Sequence, residues 1–185
     1  RQADVLYAAT LAAGRLRDPG RANLLLARLE PQVGSDVEGL RVVRLLDGEL
    51  GLLAGDAARA AAAAPAAAAG RPETLMSAQA ALLAKRPAEA SQRLQTWVAL
   101  YPADATAWQT LASAYGAQGQ TLRAIRAEAE ARVAWLDYAA AVDRLRAAQD
   151  LVRRGGAGTD HIEASIIDTR TRQVESLLRD QALER

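Results

Sequence analysis

The sequence lacks cysteine and phenylalanine, and aromatic residues of all kinds make up only 4 % of its 185 residues. Without cysteine, this chain forms no disulfide bond and no thiolate metal site, and it gives no indication of the redox compartment. Because large aromatic anchors are scarce, a thick core is not expected. Apolar residues still make up 50 % of the chain, mostly as Ala and Leu, which are strong helix formers. The composition therefore favours thin, closely packed layers of helices.

A charge excess of one sign is also lacking, since 23 Lys and Arg residues balance 22 Asp and Glu residues. No global field draws such a chain to nucleic acid or to an acidic membrane surface. A run of about 18 apolar residues is absent as well, so we expect no direct membrane insertion. The first residue is Arg1 rather than Met. We expect a soluble fragment of a longer chain, with any targeting signal upstream.

Signals for the start of a helix recur at short intervals. Asp18-Pro19 places a capping carboxylate before a proline at the first helical position, and Ser35 to Glu38 reads as a capping box. Between such signals, Leu and Ala recur at helical spacing without β alternation. We predict ten helices, roughly at residues 4–16, 19–30, 36–53, 56–69, 72–85, 87–101, 105–118, 121–135, 138–153 and 160–182.

Two small-residue segments have competing interpretations. The stretch from Asp56 to Gly70 is nearly all Ala around Pro65, and we predict a helix that kinks or ends at this proline, the alternative being a flexible linker. The segment Gly155 to Gly158 precedes a helix but follows another helix rather than a strand, and it lacks the lysine of a phosphate-binding loop. It is predicted to be a flexible turn.

One repeat register is the main signal in the sequence. Trp108, Leu111, Ala112 and Tyr115 have the spacing of the first helix of a tetratricopeptide repeat, and a step of about 34 residues back from Ala105 finds matching small residues. The following helix, near 121–135, is expected to pack on both neighbours. We predict an all-α α-solenoid of antiparallel tetratricopeptide-like helix pairs, with a generic helical bundle as the alternative. One domain over 1–185 would comprise degenerate pairs over 1–70, a clear register over 71–138 and C-terminal helices over 138–185.

The concave groove of such an array is lined by fixed positions of the first helix in each pair. These positions, with two from the following helix, predict a protein- or peptide-binding groove formed by Leu75, Gln79, Leu82, Leu83, Thr106, Gln109, Ser113, Arg123 and Arg126. The two guanidiniums suit an extended peptide or a partner's carboxylates. The alternative is that the polar residues form only a solvated helix face. Trp97, Trp108 and Trp135 are expected to pack within the repeats, with ligand contact as the alternative.

Several segments resemble the repeat region of periplasmic M48-type zinc metallopeptidases of the β-barrel-assembly-enhancing type. They are Tyr7-Ala-Ala, Leu52-x-x-Gly55-Asp56, Trp108 through Ala141, and the specific tail Ile162-Glu163-Ala164-Ser165-Ile166-Ile167-Asp168-x-Arg170-x-Arg172-Gln173. The resemblance implies a periplasmic, chaperone-like module that packs against its own protease domain. It further implies outer-membrane proteins and their assembly machinery as partners. An independent tetratricopeptide adaptor in envelope or secretion assembly, with no protease attached, is the alternative.

The residues that could support catalysis are few. His161 is the single histidine and shares a helical face with Ser165 and Asp168, but a catalytic triad also needs a pocket and an oxyanion hole. The His-Glu-x-x-His zinc motif is absent, and one histidine cannot supply two ligands. We expect no catalytic residue, metal site or cofactor here, with zinc belonging to a peptidase domain elsewhere in the parent chain. An enzyme built on His161 is the remaining hypothesis.

Overall fold

The computed structural model describes residues 2–65, 70–155 and 160–183, which form ten α-helices and no β-strand. These fall into two compact units, Arg1–Arg86 and Pro87–Arg185, each of which is described by itself. The first contains α1 (Gln2–Arg15), α2 (Pro19–Val33), α3 (Val37–Ala54), α4 (Ala57–Ala63) and α5 (Arg71–Leu83). The second contains α6 (Pro87–Leu100), α7 (Ala105–Ala117), α8 (Thr121–Ala134), α9 (Tyr138–Arg153) and α10 (His161–Leu183). The all-helical prediction is confirmed, and α5 and α6, predicted as one pair, belong to different units.

Six of the ten helices that the structure describes begin with an aspartate cap. In each, a carboxylate oxygen accepts the backbone N–H three residues later, which satisfies a donor that has no partner inside the helix. The bonds lie between 2.9 and 3.2 Å. Five of the capping residues are Asp18, Asp56, Asp104, Asp137 and Asp160.

The predicted capping box at the start of α3 is wrong by one residue. Asp36 is the cap, and its Oδ2 accepts the Gly39 N–H at 2.9 Å. Ser35 and Glu38 therefore do not exchange the paired bonds of a capping box. The Asp36 carboxylate accepts the capping hydrogen bond in place of the serine hydroxyl, and its negative charge also interacts favourably with the positive N-terminal end of the helix dipole.

Two prolines lie close to the ends of helices. α2 continues through Pro31 to Val33 instead of stopping near residue 30, because a proline in the last turn removes only one bond, to the carbonyl of the exposed Ala27. α4 ends at Ala63, before Pro65, as predicted. The rest of that predicted helix, residues 66–69, and most of the predicted glycine-rich turn, 156–158, lie outside the described residues.

In the first unit, α3 packs against α1, α2, α4 and α5. The core of this unit is formed largely by leucine and valine side chains from α1, α2 and α3. Two of them, Leu29 and Leu46, are only 2 % exposed. Small residues bring α3 and α4 together: a Cβ on Gly51 would come within 2.8 Å of the Ala60 backbone nitrogen. Gly48 and Ala60 are both buried at this contact.

A bidentate ion pair joins α3 to α5. Arg41 donates from Nε to Glu73 Oε1 at 2.6 Å and from Nη2 to Glu73 Oε2 at 3.0 Å. The Glu73 side chain is 4 % exposed and that of Arg41 is 33 % exposed. These hydrogen bonds from Arg41 lower the pKa of Glu73, although burial of the carboxyl group opposes them.

In the second unit, consecutive helices pack in order, and α8 contacts both α7 and α9, as the sequence predicts. The core between α8, α9 and α10 centres on fully buried Leu145, Ile167 and Val174. Ala107 and Ala114 of α7 are also fully buried. Because their side chains are small, the backbone of α7 packs close to neighbouring helices. The turns that join α6 to α7, α7 to α8 and α8 to α9 are short, so these neighbours are antiparallel.

Left-handed residues follow most of the helices. Gly55, Gly119 and Gly155 take positive φ after α3, α7 and α9, where a left-handed residue lets the last carbonyls bond back. Gly34, after α2, also has a positive φ, but its ψ of −125° lies outside the αL region. Non-glycine residues take positive φ after α1, α5 and α8, with φ between 58° and 60°: Arg17, Lys85 and Leu136. L side chains adopt this conformation at a cost, so these three positions hold their side chains under backbone strain.

Candidate functional site

An open groove runs between α7, α8 and α9, with a volume of about 610 Å³, within the range of ligand sites, roughly 300–1,000 Å³. We call it the α7–α9 groove. Four of its residues have no side chain beyond Cβ, so small residues form its base. The lining residues are Gln109, Ala112, Ser113 and Gly116 from α7, Ala124, Glu128, Ala131 and Arg132 from α8, and Arg144 from α9.

Two arginines and one glutamate supply the charges of the α7–α9 groove. Arg144 Nη1 lies 3.4 Å from Glu128 Oε2, and both side chains are about half exposed. Arg132 lies 4.0 Å from Asp137 Oδ2 and stacks over the Trp135 ring with its Cζ 5.5 Å from the ring centroid. Exposed ion pairs of this kind contribute only about 0–1 kcal/mol. Their charged groups can therefore exchange partners with a ligand at little cost.

Two of the sequence-predicted residues lie in this groove. Gln109 and Ser113 are exposed on α7 and line it. Ser113 Oγ donates to the Gln109 backbone oxygen at 3.2 Å, whereas the Gln109 side-chain amide makes no hydrogen bond within the described residues. Thr106 is exposed on the same helix but does not line the groove.

Arg123 and Arg126, also predicted to line a groove, face α10 instead. Arg126 Nε donates to Glu163, whose side chain is 4 % exposed. Arg123 Nε lies 3.7 Å from Glu163 Oε2 and 3.8 Å from Asp160 Oδ2. Both guanidiniums are thus engaged by carboxylates at the N-terminal end of α10.

The four remaining predicted residues lie on α5, in the first unit. Leu75 is buried, with 8 % of its surface exposed, and Gln79 and Leu82 are half-buried. Leu83 is the most open of them, at 37 %. Binding by any of the nine predicted residues stays a prediction.

The repeat register alone misses the charged residues of the groove. Arg144 lies on α9, which begins only half a repeat after α8. The repeat register therefore assigns no groove position to Arg144. Glu128 and Arg132 lie on α8, whereas the register assigns groove residues mainly to the first helix of each pair. A helical projection of α8 finds them, because Ala124, Glu128, Ala131 and Arg132 follow the i, i+4, i+7, i+8 pattern of one face.

The three tryptophans differ in environment. Trp97 is half-buried, donates from Nε1 to Asp104 at 2.9 Å and contacts the Tyr101 ring at 4.2 Å between centroids. Trp108 is half-buried and donates to the Pro102 carbonyl at 2.9 Å. Trp135 is 49 % exposed, so the expectation that it packs inside a repeat is wrong, because it follows the last residue of α8 and lies beyond the packed helix faces.

The face of α10 that carries His161 is exposed. His161, Ser165 and Asp168 are all exposed, and His161 makes no hydrogen bond with either of the others. Asp168 Oδ1 accepts from Gln149 Nε2 of α9 at 2.8 Å. Across the described ranges, no three His, Asp or Glu side chains are grouped to hold a metal ion. Within the same ranges, no helix has the length and apolar content that crossing a membrane requires.

Comparison with known proteins identifies the fold. No protein-family model matches the chain, and no curated protein matches it. A solved structure named MamA RS-1 ArsTM double mutant aligns over 98 % of this chain and 97 % of its own, with a TM-score of 0.54 and 21 % sequence identity. It is a tetratricopeptide-like all-helical protein. None of these comparisons supports the likeness to M48-type metallopeptidases. The chain thus has a tetratricopeptide-like helical fold.

Proposed function

We propose that the chain is a polypeptide-binding module whose ligand is an extended segment held in the α7–α9 groove. The observation that carries the proposal is the groove itself: about 610 Å³ of uncovered space over a base of small residues, next to the free amide of Gln109. A side-chain amide both donates and accepts hydrogen bonds. It can therefore pair with the backbone of an extended ligand, while the small residues leave room for that ligand's side chains.

The charges of the groove favour a ligand that carries a carboxylate. Arg132 and Arg144 outnumber Glu128 among the lining residues. A guanidinium pairs with a carboxylate through two parallel hydrogen bonds. A ligand carboxylate can replace Glu128 on Arg144, since the existing pair is exposed and weak. Affinity is expected to fall as salt concentration rises, because these charges lie in solvent.

A finer proposal places the module in a periplasmic M48-type zinc metallopeptidase, where it holds outer-membrane proteins or their assembly machinery and packs on the protease domain. The sequence resemblance alone supports it. A non-catalytic role follows in that setting, with zinc held by the peptidase domain. The competing proposal is a separate adaptor in envelope or secretion assembly. The full parent sequence distinguishes them: a secretory signal together with His-Glu-x-x-His selects the peptidase, and the absence of both selects the adaptor.

Selection of ligands from a random library of extended peptides tests the groove proposal. Peptides selected on the full chain are expected to bind in the micromolar range and to lose at least about tenfold in affinity for Ser113→Arg, which fills the groove. Thr106→Arg is the matched control, since it places the same charge on an exposed site of the same helix outside the groove. Equal binding to Ser113→Arg and to the native chain, as measured by calorimetry, rejects the groove as the binding site.

A further inference from the structure

A second cleft lies entirely within the first unit, where the ends of α1 and α3 meet the starts of α2 and α4. Its volume is about 510 Å³, again within the range of ligand sites, roughly 300–1,000 Å³. We call it the α1–α4 cleft. Its lining residues are Gly14, Arg17, Pro19, Ala22, Asn23, Leu50, Leu52, Leu53, Ala54, Gly55 and Arg59.

One side of the α1–α4 cleft is apolar. Leu50 is buried, while Leu53 leaves 43 % of its surface exposed. Gly14 brings α1 against these two leucines, because an added Cβ would lie 2.5 Å from Leu50 Cδ2 and 3.2 Å from Leu53 Cδ1. A ligand side chain in the cleft would therefore meet a leucine surface that the fold leaves partly uncovered.

The other side is cationic, and no carboxylate lines the cleft. Arg59 is fixed in place: Nη2 lies 2.6 Å from Asp47 Oδ1 and 2.9 Å from Asn23 Oδ1. Arg17 is exposed, and its guanidinium makes no ion pair or hydrogen bond within the described residues. The Asn23 amide nitrogen is likewise unpaired there. The charge of Arg59 is therefore paired with Asp47, and the polar side offers one free cation, Arg17, and one free amide donor, Asn23.

The free cation occupies a position where glycine would be more stable. Arg17 has a φ of 58°, whereas the residue with the matching backbone hydrogen bonds after α3 is Gly55. An L side chain in this conformation strains the backbone. Strained residues concentrate at ligand sites, and the strain here places a guanidinium at the mouth of a leucine-lined cleft.

We propose that the α1–α4 cleft is a second polypeptide-binding site, for a short partner segment in which a carboxylate side chain stands beside a branched apolar one. The apolar side chain contacts Leu53, and the carboxylate pairs with Arg17. The site is independent of the α7–α9 groove, since every residue that forms it belongs to the first unit.

Two matched peptides test this site on the full chain: acetyl-Ala-Leu-Glu-Leu-Ala-amide and its Gln counterpart. In nitrogen–proton correlation spectra at low salt, the Glu peptide is expected to shift the amide signals of Gly14, Asn23 and Gly55. The Gln peptide is expected to bind about tenfold more weakly, the effect of losing one charge-assisted hydrogen bond. Ser113→Arg is expected to leave this binding unchanged, which separates a failure here from a failure of the groove proposal.

The variant Arg17→Gly removes the guanidinium and relieves the backbone strain, so it is expected to be at least as stable as the native chain. It is expected to reduce affinity for the Glu peptide about tenfold. Lys85→Gly is its matched control, because Lys85 is also a cation with a φ of 60° in the first unit and does not line the cleft. Equal affinities for the two peptides, undiminished binding by Arg17→Gly, or octanoate binding as tightly as the Glu peptide would each overturn the proposal.

Discussion

Glu163 at the start of α10 forms an ion pair with Arg126 on α8, 37 residues earlier in the sequence. The glutamate is 3 % exposed, and its other oxygen lies 3.7 Å from Arg123 Nε. Two arginines that the repeat register assigns to a binding groove thus hold the last helix to the repeat. The charges of these two arginines are therefore paired with carboxylates inside the second unit.

Loss of this buried carboxylate is expected to destabilise the second unit. Glu163→Ala leaves two guanidiniums without their shared partner, at a cost of about 3 kcal/mol. The free energy of unfolding, obtained from urea titrations followed by circular dichroism, measures the loss. Glu175→Ala is the control on the same helix: its pair with Arg146 is solvent-exposed, so its loss costs less than about 1 kcal/mol. Equal effects of the two variants would contradict the structural role of Glu163.

The Arg41–Glu73 pair predicts a dependence of stability on acid. Because hydrogen bonds from Arg41 lower the pKa of Glu73 below its ordinary 4.5, the charged carboxylate stabilises the folded state above that value. The contribution is lost as pH falls through the lowered pKa. Glu73→Gln is therefore expected to lower Tm at pH 7, with a difference from the native chain that shrinks below pH 4.5. A difference that stays constant from pH 7 to pH 3 would contradict this linkage.

Glycine in place of a strained left-handed residue is expected to stabilise the fold. Leu136 is 63 % exposed and has a φ of 60°, so Leu136→Gly loses little packing and gains about 1 kcal/mol from relief of the strain. Thermal unfolding reads this as a rise in Tm. The opposite change, Gly55→Ala, puts a Cβ on a residue with a φ of 76° and is expected to lower Tm. A fall in Tm for Leu136→Gly would show that the leucine makes a stabilising contact.

The core of the second unit depends on Leu145, which is fully buried between helices. Leu145→Ala creates a cavity and is expected to cost about 2–5 kcal/mol. Leu100→Ala, at a site 69 % exposed, serves as the control and is expected to change stability by less than about 0.5 kcal/mol. Chemical unfolding of both variants compares them directly, and similar losses at the two sites would show that α9 does not form the core.

Local signals in the sequence predict the helices well. An aspartate cap or a proline depends on a few neighbouring residues, so Asp18, Asp104 and Asp137 mark the starts of α2, α7 and α9 without knowledge of the fold. The errors are local too. Pro31 lies in the last turn of α2, which tolerates a proline. Ser35 and Asp36 are adjacent and can both accept the capping hydrogen bond, so the sequence does not show which of them caps α3.

The candidate site is harder to predict because its residues meet only after folding. Gln109 and Ser113 follow from the repeat register, which fixes one face of α7. The orientation of Arg126 depends on a carboxylate 37 residues later, and a periodic pattern holds no information about that partner. Arg144 reaches the groove because α8 packs against both α7 and α9, and α9 begins only half a repeat after α8.

The most direct test of the central claim is the affinity of the chain for one library-selected peptide, measured by calorimetry for the native protein, Ser113→Arg and Thr106→Arg. The α7–α9 groove predicts that Ser113→Arg weakens binding at least about tenfold, while Thr106→Arg binds as the native chain does. Binding that survives Ser113→Arg, or that Thr106→Arg reduces equally, would contradict it.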